Sequence, residues 1–134
     1  MRYFTIVFFL LIILFQLSCK NKSGTPTLFE LMDSTGIHFR NDVADGRLEN
    51  SFLFRNFYNG GGVAIGDINN DGLPDVFFTS NMSENKLYLN KGNFTFEDIT
   101  AKGGFKQDSM WSTGVVFADI NNDGWLDIYF FYYR

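Results

Sequence analysis

Residues 67–75 read DINNDGLPD, and residues 119–127 read DINNDGWLD. Carried outward, the two stretches GGVAIGDINNDGLPDVFF (61–78) and TGVVFADINNDGWLDIYF (113–130) agree at ten of eighteen positions. Several exchanges keep apolar type, as Ile65 with Phe117, Val76 with Ile128 and Phe77 with Tyr129. A repeat of this strength outranks local propensity, because it means that one structural unit has been laid down twice.

Between the copies the sequence reads as short strands and turns. Val63-Ala64-Ile65 leads into the first nonapeptide, and Val76–Thr79, Lys86–Leu89 and Phe94–Glu97 follow, with Ser83-Glu84-Asn85 and Asn90–Asn93 as turns. Lys91-Gly92-Asn93 suits a hairpin tip. Ser51–Phe54 is a further short apolar run, and His38 falls in what reads as an early strand. Four strands in a period of about 50 residues are what a propeller blade requires. Such a unit cannot bury both faces alone and expects neighbours. The expected fold is therefore all-β, part of a β-propeller of about one and a half four-stranded blades. Its repeats cover about 61–100 and 113–134, and the remaining blades are expected from a longer chain.

The nonapeptide has its own chemistry. In the first copy, side-chain oxygens fall at Asp67, Asn69, Asp71 and Asp75, the carbonyl of Leu73 adds another, and Gly72 allows the bend. The second copy offers Asp119, Asn121, Asp123, the carbonyl of Trp125 and Asp127, with Gly124 at the bend. An all-oxygen, flexible shell of about six or seven ligands suits Ca²⁺, whereas Mg²⁺ prefers fewer protein ligands and more water. Two calcium sites are thus expected. An EF-hand needs flanking helices and a Glu at the twelfth position, where this chain has Phe78 and Phe130. Ile68 and Ile120, lying between ligands, are expected to pack inward.

The strand, DxNxDGxxD loop and second strand, repeated with glycine entries at 61–62 and 114 and with Gly66 before the first loop, resemble the FG-GAP or VCBS repeat. This is the blade of integrin-alpha-like propellers, and the resemblance extends to bacterial propeller lipoproteins that end in an ASPIC/UnbV domain. FYNGGGVAIGDINNDGLPDVFFTSN, NKLYLNKGNFTFEDIT and WSTGVVFADINNDGWLDIYF carry it. It implies calcium clipped within a hairpin of each blade and a recognition role on loops elsewhere.

The N-terminus reads differently. After Met1-Arg2-Tyr3 comes the apolar run FTIVFFLLIILFQL (4–17), too short for the roughly 20 residues of a spanning helix and built like an export signal. Leu17-Ser18-Cys19 resembles the bacterial lipobox, which implies lipidation of Cys19, the chain's single cysteine. The expected organisation is a lipoprotein signal peptide at 1–18, helical, then a polar tether at 19–27 and the propeller fragment at 28–134. The protein is expected at the cell envelope as an outer-membrane lipoprotein, held to the membrane through Cys19.

Composition limits the remaining possibilities. Eleven Lys and Arg against fifteen Asp and Glu, with a formal net charge of −4, argue against a nucleic-acid partner. His38 is the lone histidine, and Gly60-Gly61-Gly62 leads into a strand and so forms no phosphate loop. The chain therefore reads as a binding or adhesion scaffold for a protein or glycan ligand and not as an enzyme. Trp111 and Trp125 leave room for a carbohydrate-binding accessory protein, and a non-catalytic N-terminal part of a larger enzyme is the other alternative.

Overall fold

The computed structural model describes residues 27–104 and 111–133. The expected signal helix and most of the tether lie outside the described residues, as does Cys19. Contacts divide the chain into Met1–Leu31 and Met32–Arg134, and the second unit carries every strand found among the described residues. Among the described residues six strands form in chain order: β1 (Val63–Gly66), β2 (Asp75–Phe78), β3 (Lys86–Asn90), β4 (Phe96–Asp98), β5 (Trp111–Ala118) and β6 (Asp127–Tyr133). There is no helix among the described residues, and hence none long and apolar enough to cross a membrane.

All pairing is antiparallel. One sheet has the order β1-β2-β3-β4, and β5 and β6 make a second of two strands. In both, the nonapeptide joins a glycine or alanine to an aspartate across the hairpin: Gly66 opposes Asp75, and Ala118 opposes Asp127. The first sheet is the expected four-strand unit, and the second matches its first half. β4 starts at Phe96, later than expected, because Asn93 and Phe94 are drawn into the turn at φ near 51° and 55°. That turn is closed by the Lys91 N–H on the Thr95 carbonyl at 2.7 Å.

Alternation along β2 explains how its faces are used. Asp75 and Phe77 are buried, and Val76 and Phe78 half-buried. Phe77 joins Ala64 and Leu87 in a core between the sheets, with Ile68, Ile99, Val115, Phe117 and Ile128 packed against it. Its ring lies 6.0 Å from that of Phe130. Ile68 thus packs inward as expected, but Ile120 is 68% exposed because β6 has no third strand beside it among the described residues.

The opposite face of the first sheet is covered by residues 35–44, which form no strand although His38 was expected in one. The segment lies across the sheet and spends its backbone bonds singly. Thr35 O accepts the Phe96 N–H at 2.7 Å, and the His38 N–H donates to the buried Tyr88 hydroxyl at 3.2 Å. Phe39 stacks on Phe78 at 4.7 Å. Ser51–Phe54 is likewise a turn, held by Asn50, whose Oδ1 accepts the Phe52 and Leu53 N–H groups.

A polar knot closes one end of the seam between the sheets. After β2 the chain runs Thr79-Ser80-Asn81, all three buried. Thr79 Oγ1 accepts the Gly62 N–H at 2.6 Å and donates to the Thr113 carbonyl. The Asn81 amide donates to the carbonyls of Gly60 and Ser112 and accepts from Asn41 Nδ2 at 2.8 Å. Asn85 accepts the Ser80 N–H and donates to Ser112 Oγ. No buried side-chain nitrogen or oxygen among the described residues lacks a partner. Asn81→Ala would strand several buried groups and should destabilise the domain by about 3 kcal/mol. Urea unfolding measures this as a lower midpoint at unchanged slope, and a loss under about 0.5 kcal/mol would show that the knot is not what holds the sheets together.

Candidate metal centre

Each nonapeptide is a strand-to-strand connection that cannot continue either strand, because its asparagine and glycine take left-handed φ. Asn70 and Asn122 stand at 57° and 58°, and Gly72 and Gly124 at 84° and 87°. Asn tolerates this region and glycine enters it without penalty. The bend turns a run of backbone N–H groups inward, and the side-chain oxygens accept them.

In the first loop, Asp67 Oδ1 accepts the Asp71 N–H at 3.1 Å and Oδ2 the Gly72 N–H at 2.7 Å. Asn69 Oδ1 shares the Asp71 N–H, and Asp71 Oδ1 accepts the Leu73 N–H at 2.8 Å. Asn69 Nδ2 donates to Asp71 Oδ2, and the Ile68 N–H donates to Asp75 Oδ2 at 3.0 Å. The second loop repeats all six bonds: Asp119 with the N–H groups of Asp123 and Gly124, Asn121 twice with Asp123, Asp123 with the Trp125 N–H, and Asp127 with the Ile120 N–H. The Trp125 N–H, followed by the Asn121 amide, holds the Asp123 carboxyl below the usual carboxylate range. The loops also touch, through Asn70 Nδ2 on the Gly124 carbonyl at 3.1 Å.

The expected ligands are thus gathered loop by loop, with unequal surroundings. Asp67 is half-buried, Asn69, Asp71, Asp119, Asn121 and Asp123 are exposed, and Asp127 is half-buried. Asp75 is fully buried, its Oδ1 also accepting the Asn90 N–H at 2.8 Å. Asn90, which sequence reasoning passed over, donates its amide to the Pro74 carbonyl as well. Its one sequence signal is an asparagine at the strand end ahead of Lys91-Gly92.

Among the described residues, no three His, Cys, Asp or Glu side chains converge as a ready metal cage. The carboxylates are turned onto loop N–H groups instead. Their chemistry still fits a hard cation. A carboxylate oxygen that accepts one N–H keeps a second lone pair, so the bonds that shape the loop do not exhaust its oxygens. Gathering them on one point requires the Asn69–Asp71 and Asn121–Asp123 side-chain bonds to open.

Residues 67–130, the segment carrying both loops, match the FG-GAP-like repeat family model. Over 74 residues the chain is 40% identical to cartilage acidic protein 1 of Xenopus tropicalis, covering 54% of this chain and 11% of that protein. Cartilage acidic protein 1 of Mus musculus is 38% identical over 69 residues, covering 52% and 11%, and that of Homo sapiens 38% over 72, covering 53% and 11%. The chain thus spans about a tenth of the length of these relatives. No solved structure matches it.

Asp75 and Asp127 occupy equivalent positions but differ in what they hold. In metal-free protein, Asp75→Ala should cost about 2 to 4 kcal/mol by leaving two N–H groups unpaired, and Asp127→Ala about 1 kcal/mol. Thermal unfolding in chelator checks the order, and equal losses would mean that the ninth position has no structural role of its own.

Proposed function

We propose that the chain is a calcium-binding FG-GAP/VCBS-repeat scaffold, part of a β-propeller on a bacterial cell-surface lipoprotein, with a binding or adhesion role. The observation that carries the reading is the identity of the two loops: one set of six hydrogen bonds and one pair of left-handed residues, built twice on oxygen-rich sequence. A turn needs a cap, but it does not need three carboxylates. Asp67, Asn69, Asp71, Asp75 and the Leu73 carbonyl would hold one Ca²⁺, and Asp119, Asn121, Asp123, Asp127 and the Trp125 carbonyl the other. The ion would supply charge neutralisation and a fixed loop, with no chemical step.

Partial-propeller architecture is supported by the four-strand sheet followed by a second sheet with the same opening hairpin. In a longer chain, further blades would cover the remaining apolar edges. Nothing in this reading requires catalysis, and the exposed His38 has no part in it.

Calorimetric titration should show two Ca²⁺ bound per chain, with dissociation constants on the order of 10⁻⁴ to 10⁻³ M, as in extracellular modules. Calcium should raise the unfolding temperature by mass action, and Asp67→Ala and Asp119→Ala should each remove one site. Absence of calcium heat, with an unfolding curve indifferent to chelator, would contradict the reading.

The lipoprotein half of the proposal rests on Cys19 at the end of the 4–17 apolar run. Two or more acyl chains anchor stably where one binds only reversibly. Expressed in a Gram-negative host, the protein should partition into detergent with added mass on an N-terminal Cys19, and Cys19→Ala should abolish this. An intact mass with an unmodified thiol would remove the anchor.

A further inference from the structure

The β5–β6 hairpin has two ends. The nonapeptide closes one, and at the other Trp111 pairs with Tyr133, roughly 23 Å of strand away. At that second end lies a cavity of about 450 Å³, within the size range of small-molecule sites. Its walls include Phe54, Phe57, Trp111 and Tyr133. The rings meet at steep angles: Phe54 stands 6.1 Å and 43° from Trp111 and 5.8 Å and 78° from Tyr133, and Phe57 lies 5.1 Å and 36° from Trp111. Phe57 is buried at 1% exposure, whereas Phe54 and Tyr133 are 43% and 57% exposed. A fixed aromatic base therefore carries open aromatic sides.

The polar groups on this cavity decide what it suits. Asn81 lines it, but its amide is committed to Gly60, Ser112 and Asn41. Glu49 lines it as an exposed carboxylate, which when ionised can only accept. A sugar calls for several donors and acceptors spread around its ring, and this cavity presents one acid and one phenol beside its aromatic rings. A cation with apolar substituents calls for electron-rich ring faces and one negative charge. The chain's formal net charge of −4 favours the same sign of ligand.

We propose that the cleft between the 48–57 turns and the Trp111–Tyr133 end of the hairpin binds a small quaternary ammonium, with Phe54, Trp111 and Tyr133 as the cage and Glu49 as its counter-charge. The site is separate from the calcium loops and does not rest on them. Trp111 supplies the largest ring face, and Glu49 discriminates charge from mere apolar bulk.

The test is a calorimetric titration of the calcium-saturated chain with choline, with its neutral isostere 3,3-dimethylbutan-1-ol and with methyl glucoside. Choline should bind, and the isostere should bind at least tenfold more weakly. Glu49→Gln, at an exposed position, should weaken choline by about fivefold while leaving the isostere unchanged, and Trp111→Ala should weaken choline by tenfold or more. Near-ultraviolet circular dichroism shows whether Trp111→Ala is folded. Equal binding of choline and the isostere, preference for the glycoside, absence of choline binding or indifference to Glu49→Gln would each overturn the proposal.

Discussion

The close approach of β1 to β5 is the constraint on which the rest of the structure depends. A β-sheet with apolar side chains on both faces is not stable alone in water, and this chain resolves the problem by laying its second hairpin against the first. The approach requires glycine. A Cβ on Gly62 would stand 2.7 Å from the Thr113 carbonyl oxygen and 3.0 Å from the Val115 nitrogen, closer than packed atoms allow. At Gly66 it would meet the side chains of Phe117 and Leu126 at 2.8 and 2.9 Å. With these positions bare, Ala64, Phe77 and Leu87 bury themselves against Val115, Phe117 and Ile128.

Two polar devices mark the ends of that seam. At one, Thr79, Ser80 and Asn81 satisfy backbone groups of both sheets and bond the side-chain amide of Asn41. At the other, the nonapeptide loops stand side by side and share the Asn70–Gly124 bond. The first device is dry and saturated, as a buried hydrogen-bond network must be to stabilise a fold. The second is wet and acidic, and its oxygens retain lone pairs. The same polar residue types are thus saturated by hydrogen bonds at one end and left open to solvent at the other.

Much of this was legible because the chain repeats itself. The hairpin around each nonapeptide follows from aligning 61–78 with 113–130, its four-strand continuation from the strand and turn pattern between the copies, and the inward role of Ile68 from its place between ligand positions. What the repeat lacks was not legible. Thr79-Ser80-Asn81 aligns with Phe131-Tyr132-Tyr133 in the second copy, so the internal repeat did not mark it as a shared feature. His38 was misplaced for a related reason: Ile37-His38-Phe39 has the look of a strand, but the Ile37 and His38 N–H groups go to side-chain hydroxyls, those of Thr35 and Tyr88. Ile120 shows a third limit, since a position that packs inward in a four-strand sheet is left 68% exposed beside only two strands.

The central claim is that the two nonapeptides are cation loops and not merely capped turns. Trp125, which sits at the seventh position of the second loop and is 53% exposed, offers a direct probe, because an excited indole transfers energy only to a lanthanide close by. Terbium added to the folded chain should give tryptophan-sensitised emission that saturates, falls on addition of calcium, and disappears in Trp125→Phe and in Asp119→Ala, with Trp111 too far along the hairpin to substitute. Absence of sensitised emission from the folded chain, or emission unchanged by Asp119→Ala, would contradict the account.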